Sequence, residues 1–204
     1  MDWYEPEVAN LELTARCGQV PSHLAVFYGS SSIRMWDTLA EDLASDRILN
    51  RGFGGSTLAA CVHFFERLVT PVRPASLVLY AGDNDLGDGR TVDQVVASFQ
   101  QFQAKVDQEL ADAPFAYLGI KPSPARAPIL ARIVEVNNRI AGLMDRRGPT
   151  SLYVDTLAPM LTPDGRPDTR YFLEDGLHLS RSGYRLWAEL LRPYRKQLLI
   201  EPTS

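Results

Sequence analysis

The sequence lacks the features that mark membrane proteins, nucleic-acid-binding proteins and secreted proteins. No apolar stretch approaches the roughly 18 residues of a membrane span, and lysine and arginine are scattered without a basic run. Because the formal net charge is −4, a nucleic acid is not an expected partner. Residues 1–16 are acidic and have no cationic-then-apolar order, so no secretion signal is expected. These absences favour a cytoplasmic protein that acts on a small molecule.

Cysteine and histidine are also scarce, which limits the disulfides and metal sites that the chain can form. The two cysteines, Cys17 and Cys61, are far apart and do not form a metal-type pair. Reduced cytosolic thiols are the expectation, and a Cys17–Cys61 disulfide is the alternative. Asp83, Asp85 and Asp88 lie close together, but no glutamate follows at the spacing of a calcium-binding loop. We therefore expect no metal and no other cofactor.

The hydrophobic pattern predicts a single α/β domain. With 45% hydrophobic and 23% charged residues, a chain of 204 residues can bury a sizeable core. Helical stripes, the first at Ile33, Trp36, Ala40 and Leu43, alternate with short apolar runs along the chain. Parallel strands need such crossover helices between them. We expect a three-layer α/β/α sandwich at residues 23–204, with a helical arm at residues 1–22 packed on it. Short apolar runs, typical of strands buried on both faces of a parallel sheet, lie at residues 23–28, 76–80, 114–120 and 151–155, with a weaker candidate at 47–50.

Polar clusters follow the predicted strands. They read GSSS at 29–32, NRGFGGS at 50–56, AGDNDLGDG at 81–89, KPSPARAP at 121–128 and EDGLHLS at 174–180. Each cluster taken alone is also an ordinary turn or helix start. Because ligands of open α/β sheets bind beyond the carboxyl ends of the strands, the convergence of these clusters favours a functional site.

One histidine has the partner that nucleophilic catalysis requires. A serine hydroxyl is a weak nucleophile until a histidine takes its proton, and that histidine needs an orienting carboxylate. Asp175 lies three residues before His178, whereas His23 and His63 have no such carboxylate. Gly55 and Asn84 can supply a backbone amide and a side-chain amide to the oxyanion that forms on the attacked carbonyl. The stretch GFGG could instead hold a phosphate, but it lacks the spacing of a dinucleotide site.

Four of these clusters resemble, in order, the conserved blocks of the SGNH hydrolases, also called the GDSL-type esterase/lipase family. The blocks are GSSS, NRGFGG, GDND and DGLH, and the resemblance covers residues 23–198. It implies a flavodoxin-like sheet of about five parallel strands. In the first block the nucleophile follows Gly29 by two positions, which selects Ser31 and leaves Ser30 and Ser32 to shape the turn.

The resemblance also assigns the other site residues. It places the oxyanion hole on Ser31, Gly55 and Asn84, and the acid and base of the triad on Asp175 and His178. This sequence departs from the name-giving motif of the family, because serines stand where that motif has aspartate and leucine. We expect the activity to survive, since neither position belongs to the triad.

The predicted function is hydrolysis of short-chain acyl esters, such as acetyl esters, by a serine esterase that needs no metal. A lysophospholipase or a thioesterase of the same family is the first alternative. A relative that binds glycans without catalysis is the alternative from another class. Such a relative is expected to have lost one of the four blocks, and all four are present.

The rim of the site carries cations whose role the sequence leaves open. Arg34, Lys121 and Arg126 are expected at the solvated surface, although an anionic substrate could also contact them. Met160, Leu161 and Phe172 could line an acyl pocket, but packing in the core is the stronger expectation.

Overall fold

The computed structural model describes residues 1–16 and 23–199, in which strands and helices alternate. The strands are β1 (Ala25–Gly29), β2 (Ile48–Gly52), β3 (Ser76–Tyr80), β4 (Phe115–Leu118) and β5 (Ser151–Val154). The helices are α1 (Glu5–Arg16), α2 (Ser31–Arg34), α3 (Leu39–Asp42), α4 (Leu58–Leu68), α5 (Asp83–Gly87), α6 (Val92–Glu109), α7 (Leu130–Arg147), α8 (Arg181–Leu191) and α9 (Arg195–Leu198). Short 3₁₀ turns lie at Asp2–Tyr4, Thr70–Val72, Pro124–Ile129, Ala158–Met160, Thr169–Tyr171 and Arg192–Tyr194.

The strands form one parallel sheet of five strands, in the order β2-β1-β3-β4-β5. Every neighbouring pair is parallel, and the last residue of β1, Gly29, lies opposite Gly52 of β2 and Tyr80 of β3. This strand order is that of the flavodoxin-like folds. The prediction of about five parallel strands is therefore confirmed, including the weaker candidate at residues 47–50.

Different helices cover the two faces of the sheet, because successive residues of a strand point to opposite faces. Tyr28 of β1 faces a core formed with α4, α6 and α7, and its ring lies 6.1 Å from that of Phe102. Phe27 faces the opposite core, where its ring lies 6.1 Å from that of Trp36 and α8 adds the buried Trp187. Two cores, one on each face, make the fold the expected three-layer sandwich.

The helical stripe from Ile33 to Leu43 is interrupted, which the periodicity did not predict. Helix α2 ends at Arg34 and α3 begins only at Leu39. Between them, the side chains of Trp36 and Thr38 donate hydrogen bonds of 2.8 and 2.7 Å to the carboxylate of Asp42. These bonds stabilise a turn in place of a continuous helix.

The described part of the predicted arm, residues 1–16, packs against the sandwich. The ring of Tyr4 meets Phe53 edge-on at 5.4 Å, and Arg67 of α4 donates hydrogen bonds of 2.9 and 2.8 Å to Glu5 and Glu12. The division of the chain after residue 22 stays a prediction. Cys17 lies outside the described residues, and so does its pairing with the buried Cys61. None of the described helices is long and apolar enough to cross a membrane.

The end of β1 requires a glycine, and this requirement can be tested. Gly29 has φ +130°, and a Cβ added there would overlap the carbonyl oxygen of Tyr80. Gly89 also has positive φ, +87°, but no atom lies within 4 Å of an added Cβ. We expect Gly89→Ala to lower the free energy of unfolding by about 1–2 kcal/mol through backbone strain alone. Gly29→Ala should cost about 1–3 kcal/mol more, because overpacking adds to the strain.

Urea unfolding of the two variants and the wild-type protein measures this difference. Equal losses in Gly29→Ala and Gly89→Ala would contradict the close approach of β1 to β3.

Candidate active site

The turn that carries Ser31 is held between the two strands next to β1. The amide of Ser30 donates to the carbonyl of Tyr80 at 2.9 Å, and the amide of Phe53 donates to the carbonyl of Gly29 at 2.9 Å. Ser30 is extended and occupies the N-cap position of α2, but within the described residues its hydroxyl makes no capping hydrogen bond. Ser31 is the first residue of α2 and is half-buried, whereas Ser30 and Ser32 are buried.

The structure brings Ser31, His178 and Asp175 into one line of hydrogen bonds. Ser31 Oγ lies 3.1 Å from His178 Nε2, and His178 Nδ1 lies 2.6 Å from Asp175 Oδ2. The serine follows β1, whereas the histidine and the aspartate precede α8, so the fold alone joins positions that are 147 residues apart.

The loop from Phe172 to Leu179 fixes the carboxylate of Asp175. Its Oδ1 accepts hydrogen bonds from the amides of Leu177 and His178, at 2.8 and 2.9 Å. Phe172 and Leu179 form an antiparallel bridge that closes the loop. The hydrogen bond from His178, with those two amides, lowers the pKa of Asp175 to about 2. The carboxylate is therefore ionised at neutral pH and orients the imidazole.

Three hydrogen-bond donors come from the turns after β1, β2 and β3. Asn84 Nδ2 donates to the carbonyl of Ser56 at 3.0 Å, which uses one of the two hydrogens of its amide group. Within residues 1–16 and 23–199, the backbone amides of Ser31 and Gly55 donate to no acceptor. Gly55 has φ +68° and is exposed. These donors are of the kind that stabilises an oxyanion.

Two residues of the N-terminal segment support the turn after β2, and the sequence analysis missed them. Glu7 Oε2 accepts a hydrogen bond of 2.8 Å from the amide of Gly54, and the hydroxyl of Tyr4 donates to the carbonyl of Gly55 at 3.1 Å. No motif in this segment signals the contacts, because they depend on how α1 lies against the sandwich.

The expectation that Lys121 lies at the solvated surface is wrong. Its side chain is 1% exposed, and its ammonium donates to Asp83 Oδ2 at 2.7 Å and to the hydroxyl of Tyr80 at 3.1 Å. Arg126 Nε donates to the other oxygen of the same carboxylate, Oδ1, at 3.2 Å. Although burial raises the pKa of Asp83, the two cations lower it below its ordinary value. The negative charge of Asp83, 38 residues away in sequence, offsets the free-energy cost of burying the ammonium of Lys121.

The other rim residues follow the sequence analysis more closely. Arg34 is half exposed, with Nε 3.6 Å from Glu7. Met160 and Phe172 are buried in the core between α8 and the sheet, and Leu161 is half-buried. In the part of the chain that the structure describes, no three His, Cys, Asp or Glu side chains are grouped so that they could hold a metal ion.

Comparison with known protein families identifies the family of the chain. Residues 13–186 match the GDSL-like Lipase/Acylhydrolase family. The chain belongs to this family. It is therefore a hydrolase of carboxylic esters, with GSSS in place of the first motif.

Solved structures of lipases and esterases share the fold. A GDSL-like lipase from Bacteroides thetaiotaomicron superposes with a TM-score of 0.79 at 19% identity, over 93% of this chain and 97% of the other. A lipase/acylhydrolase from Enterococcus faecalis gives 0.72 at 20% identity, over 89% and 99%. The acetyl xylan esterase AlAXEase gives 0.67 at 20% identity, over 82% and 98%. A comparison with curated proteins found no match.

Asp85, next to Asn84, is a buried acid with an incomplete set of partners. Its Oδ2 accepts a hydrogen bond of 2.9 Å from the amide of Leu58, the first residue of α4. Within the described residues its Oδ1 has no hydrogen bond, and the nearest cation is Arg90, whose Nε lies 3.9 Å away. Burial raises the pKa of Asp85 to about 6.

This raised pKa predicts a pH-dependent stability. Between the unfolded and folded pKa values, about 4 and 6, the native state binds a proton that the unfolded state has lost. The stabilisation that this bound proton gives to the native state is therefore fully present below pH 4 and is lost as the pH rises through 6. We expect Asp85→Asn to gain stability relative to wild type over this range, by about 2–3 kcal/mol. Urea unfolding from pH 4 to 7 measures the difference, and parallel curves would contradict the assignment.

Proposed function

We propose that this protein hydrolyses short-chain acyl esters, such as acetyl esters, with Ser31 as nucleophile, His178 as general base and Asp175 as orienting acid. The observation that carries the proposal is the continuous line of hydrogen bonds from Ser31 Oγ through the imidazole to an ionised carboxylate. Membership of the acylhydrolase family supports the same chemistry.

The geometry supports a two-step reaction. Nδ1–H of the neutral imidazole donates to Asp175, which leaves Nε2 free to take the proton of Ser31 as Oγ attacks the ester carbonyl. The imidazolium then gives that proton to the leaving alcohol, and an acyl-enzyme remains. Water attacks the acyl-enzyme in the same way, with His178 taking its proton. The imidazolium then returns that proton to Ser31 Oγ as the bond from Oγ to the acyl carbon breaks, and the carboxylic acid is released.

Each attack on the carbonyl forms a tetrahedral intermediate with an oxyanion. We assign the stabilisation of this oxyanion to the backbone amides of Ser31 and Gly55 and to the second amide hydrogen of Asn84. Hydrogen bonds hold the turn of Ser31 to Tyr80 and Phe53, and a hydrogen bond to the carbonyl of Ser56 holds the side chain of Asn84. Donors held in place before the reaction favour the transition state, because no reorganisation is needed as charge develops.

Two observations support a small acyl group. Met160 and Phe172, two of the residues that the sequence offered as a possible lining of an acyl pocket, are buried in the core and offer little surface to a long chain. Two proteins of the same fold are named as an acetyl xylan esterase and an acetyl esterase.

A panel of p-nitrophenyl esters of rising acyl length, with an acetyl thioester and a lysophospholipid, tests this proposal. We expect kcat/KM to be highest for the acetyl ester and to fall as the chain lengthens. A preference for the thioester or the lysophospholipid would favour the alternative enzymes of this family. Binding of acetylated sugars without turnover would favour the glycan-binding alternative.

Replacement of Ser31 tests the nucleophile. Ser31→Ala should lower kcat by about 10⁴ to 10⁶-fold, as triad knockouts do. Ser30→Ala and Ser32→Ala are matched controls, since each removes a neighbouring hydroxyl from the same turn, and both should retain substantial activity. A dead Ser30→Ala beside an active Ser31→Ala would assign the nucleophile to Ser30 instead.

Replacement of Asn84 tests the oxyanion hole. Asn84→Ala removes a donor that matters most where negative charge develops, so kcat should fall about 10² to 10³-fold with little change in KM. The melting temperature of the same preparation is the control, because a residue that only shapes the turn would lower it and leave kcat per folded molecule unchanged. That second result would remove Asn84 from the site.

A further inference from the structure

A cluster of two buried and one half-buried charged side chains beside Asn84 carries one more positive charge than negative charge. It consists of Asp83, Lys121 and Arg126, whose side chains are 6%, 1% and 24% exposed. One carboxylate is shared by two cations, at 2.7 Å from the lysine and 3.2 Å from the arginine. Charges that are withdrawn from water are costly unless they are paired, so this surplus favours a further anion at the cluster.

The surplus charge is on Arg126 rather than on Lys121. The ammonium of Lys121 is enclosed between the carboxylate of Asp83 and the hydroxyl of Tyr80, and it lies 5.2 Å from the centre of the Tyr80 ring. Arg126 uses Nε for Asp83, and within the described part of the chain its two terminal nitrogens have no hydrogen-bond partner. They form the edge of the guanidinium that binds a carboxylate through two parallel hydrogen bonds.

The guanidinium of Arg126 is held in place before any ligand binds. It lies on the backbone of α5 at Gly87, where an added Cβ would overlap it. Together with the hydrogen bond from Nε to Asp83, this contact restricts the side chain. An arginine that is already ordered loses less conformational entropy on binding a ligand than a free one does.

Arg126 and its turn contact two elements that carry residues of the proposed catalytic site. Gly87 follows Asn84 by three residues on α5, so the guanidinium lies on the face of the helix that carries the oxyanion donor. The Pro124–Ile129 turn, which contains Arg126, also contacts the loop of the proposed acid and base, because the amide of Ala125 donates to the carbonyl of Gly176 at 2.9 Å. These two contacts place Arg126 beside both the helix of the proposed oxyanion donor and the loop of the proposed base.

We propose that Arg126 is a specificity residue that binds a carboxylate on the substrate, so that the preferred ester is anionic. The inference rests on the proposed esterase function. A single carboxylate matches the single surplus charge of the cluster. Arg34 does not provide an equivalent site, because Glu7 already lies 3.6 Å from it.

Pairs of esters that are similar in shape and differ in charge test this proposal. 4-Acetoxybenzoate and its methyl ester place the charge on the alcohol side. The mono-p-nitrophenyl ester of adipic acid and p-nitrophenyl hexanoate place it on the acyl side, on a chain too long for the carboxylate to attack its own ester readily. We expect wild type to prefer the anionic member of at least one pair, and the pair that responds identifies the side that Arg126 contacts.

Three variants assign the preference to the guanidinium. Arg126→Gln should lower the ratio of kcat/KM for the anionic ester to that for the neutral one by about 10- to 100-fold, the range expected for hydrogen bonds to a charged group. Arg126→Lys keeps the positive charge but loses the two parallel hydrogen bonds of a guanidinium. Its ratio should therefore lie between the ratios of wild type and Arg126→Gln. Arg139→Gln is the control, because it removes an arginine that is paired with Asp93 on α6, outside the proposed site. An unchanged ratio in Arg126→Gln, or no wild-type preference in either pair, would overturn the proposal.

A binding measurement keeps this test independent of the esterase reaction. In Ser31→Ala, calorimetry gives the dissociation constants of the anionic and the neutral ester of each pair. The anion of at least one pair should bind more tightly, and adding Arg126→Gln should remove that difference. If the protein hydrolyses no ester but this difference is present, the proposed function fails and the anion site stands. Equal binding within both pairs would overturn the anion site, whether or not the protein is an esterase.

Discussion

The close contact between the ends of β1 and β3 is the constraint on which the rest of the site depends. Gly29 lies so near the carbonyl of Tyr80 that a side chain does not fit, and the next amide, that of Ser30, donates to this carbonyl at 2.9 Å. The chain then begins α2 at Ser31, directly above the sheet edge. Because β1 lies between β2 and β3, the turns that carry Gly55 and Asn84 flank the serine on both sides.

The loop that carries the proposed base is held at this edge of the sheet by a different set of contacts. The turn after β4 contacts it through the amide of Ala125, and the same turn is tied to α5 by the bonds of Lys121 and Arg126 to Asp83. A buried ion pair adds little net stability compared with well-packed apolar side chains. Its contribution here is positional, since it connects the turn of Asn84 to the turn against which the loop of His178 rests.

Sequence periodicity was sufficient for the central strands β1, β3 and β4, because each is a short apolar run that is buried on both faces. The edge strand β2, which contains Asn50 and Arg51 and is only partly buried, gave a weaker signal. Periodicity failed for the stripe at Ile33 to Leu43, where the hydrogen bonds from Trp36 and Thr38 to Asp42 replace a helical turn. Motif spacing was sufficient to select Ser31, Asp175 and His178 as candidates, since each lies in a short local pattern.

The residues that sequence reasoning missed or misplaced have partners far away along the chain. Lys121 is buried because topology places Asp83 against it, and nothing local to KPSPAR indicates that partner. Glu7 and Tyr4 contact the turn of Gly54 and Gly55 only because α1 packs on the sandwich. Contacts of this kind follow from tertiary packing, which a single sequence does not determine by pattern.

The most direct test of the account is the covalent trapping of its nucleophile. Diethyl p-nitrophenyl phosphate transfers its phosphoryl group to an activated serine and releases p-nitrophenolate, which is counted by absorbance while peptide mass spectrometry locates the adduct. The account predicts one equivalent of p-nitrophenolate per chain and a single adduct on Ser31, with neither in His178→Ala. An adduct on another residue, or no release from a folded wild-type protein, would contradict it.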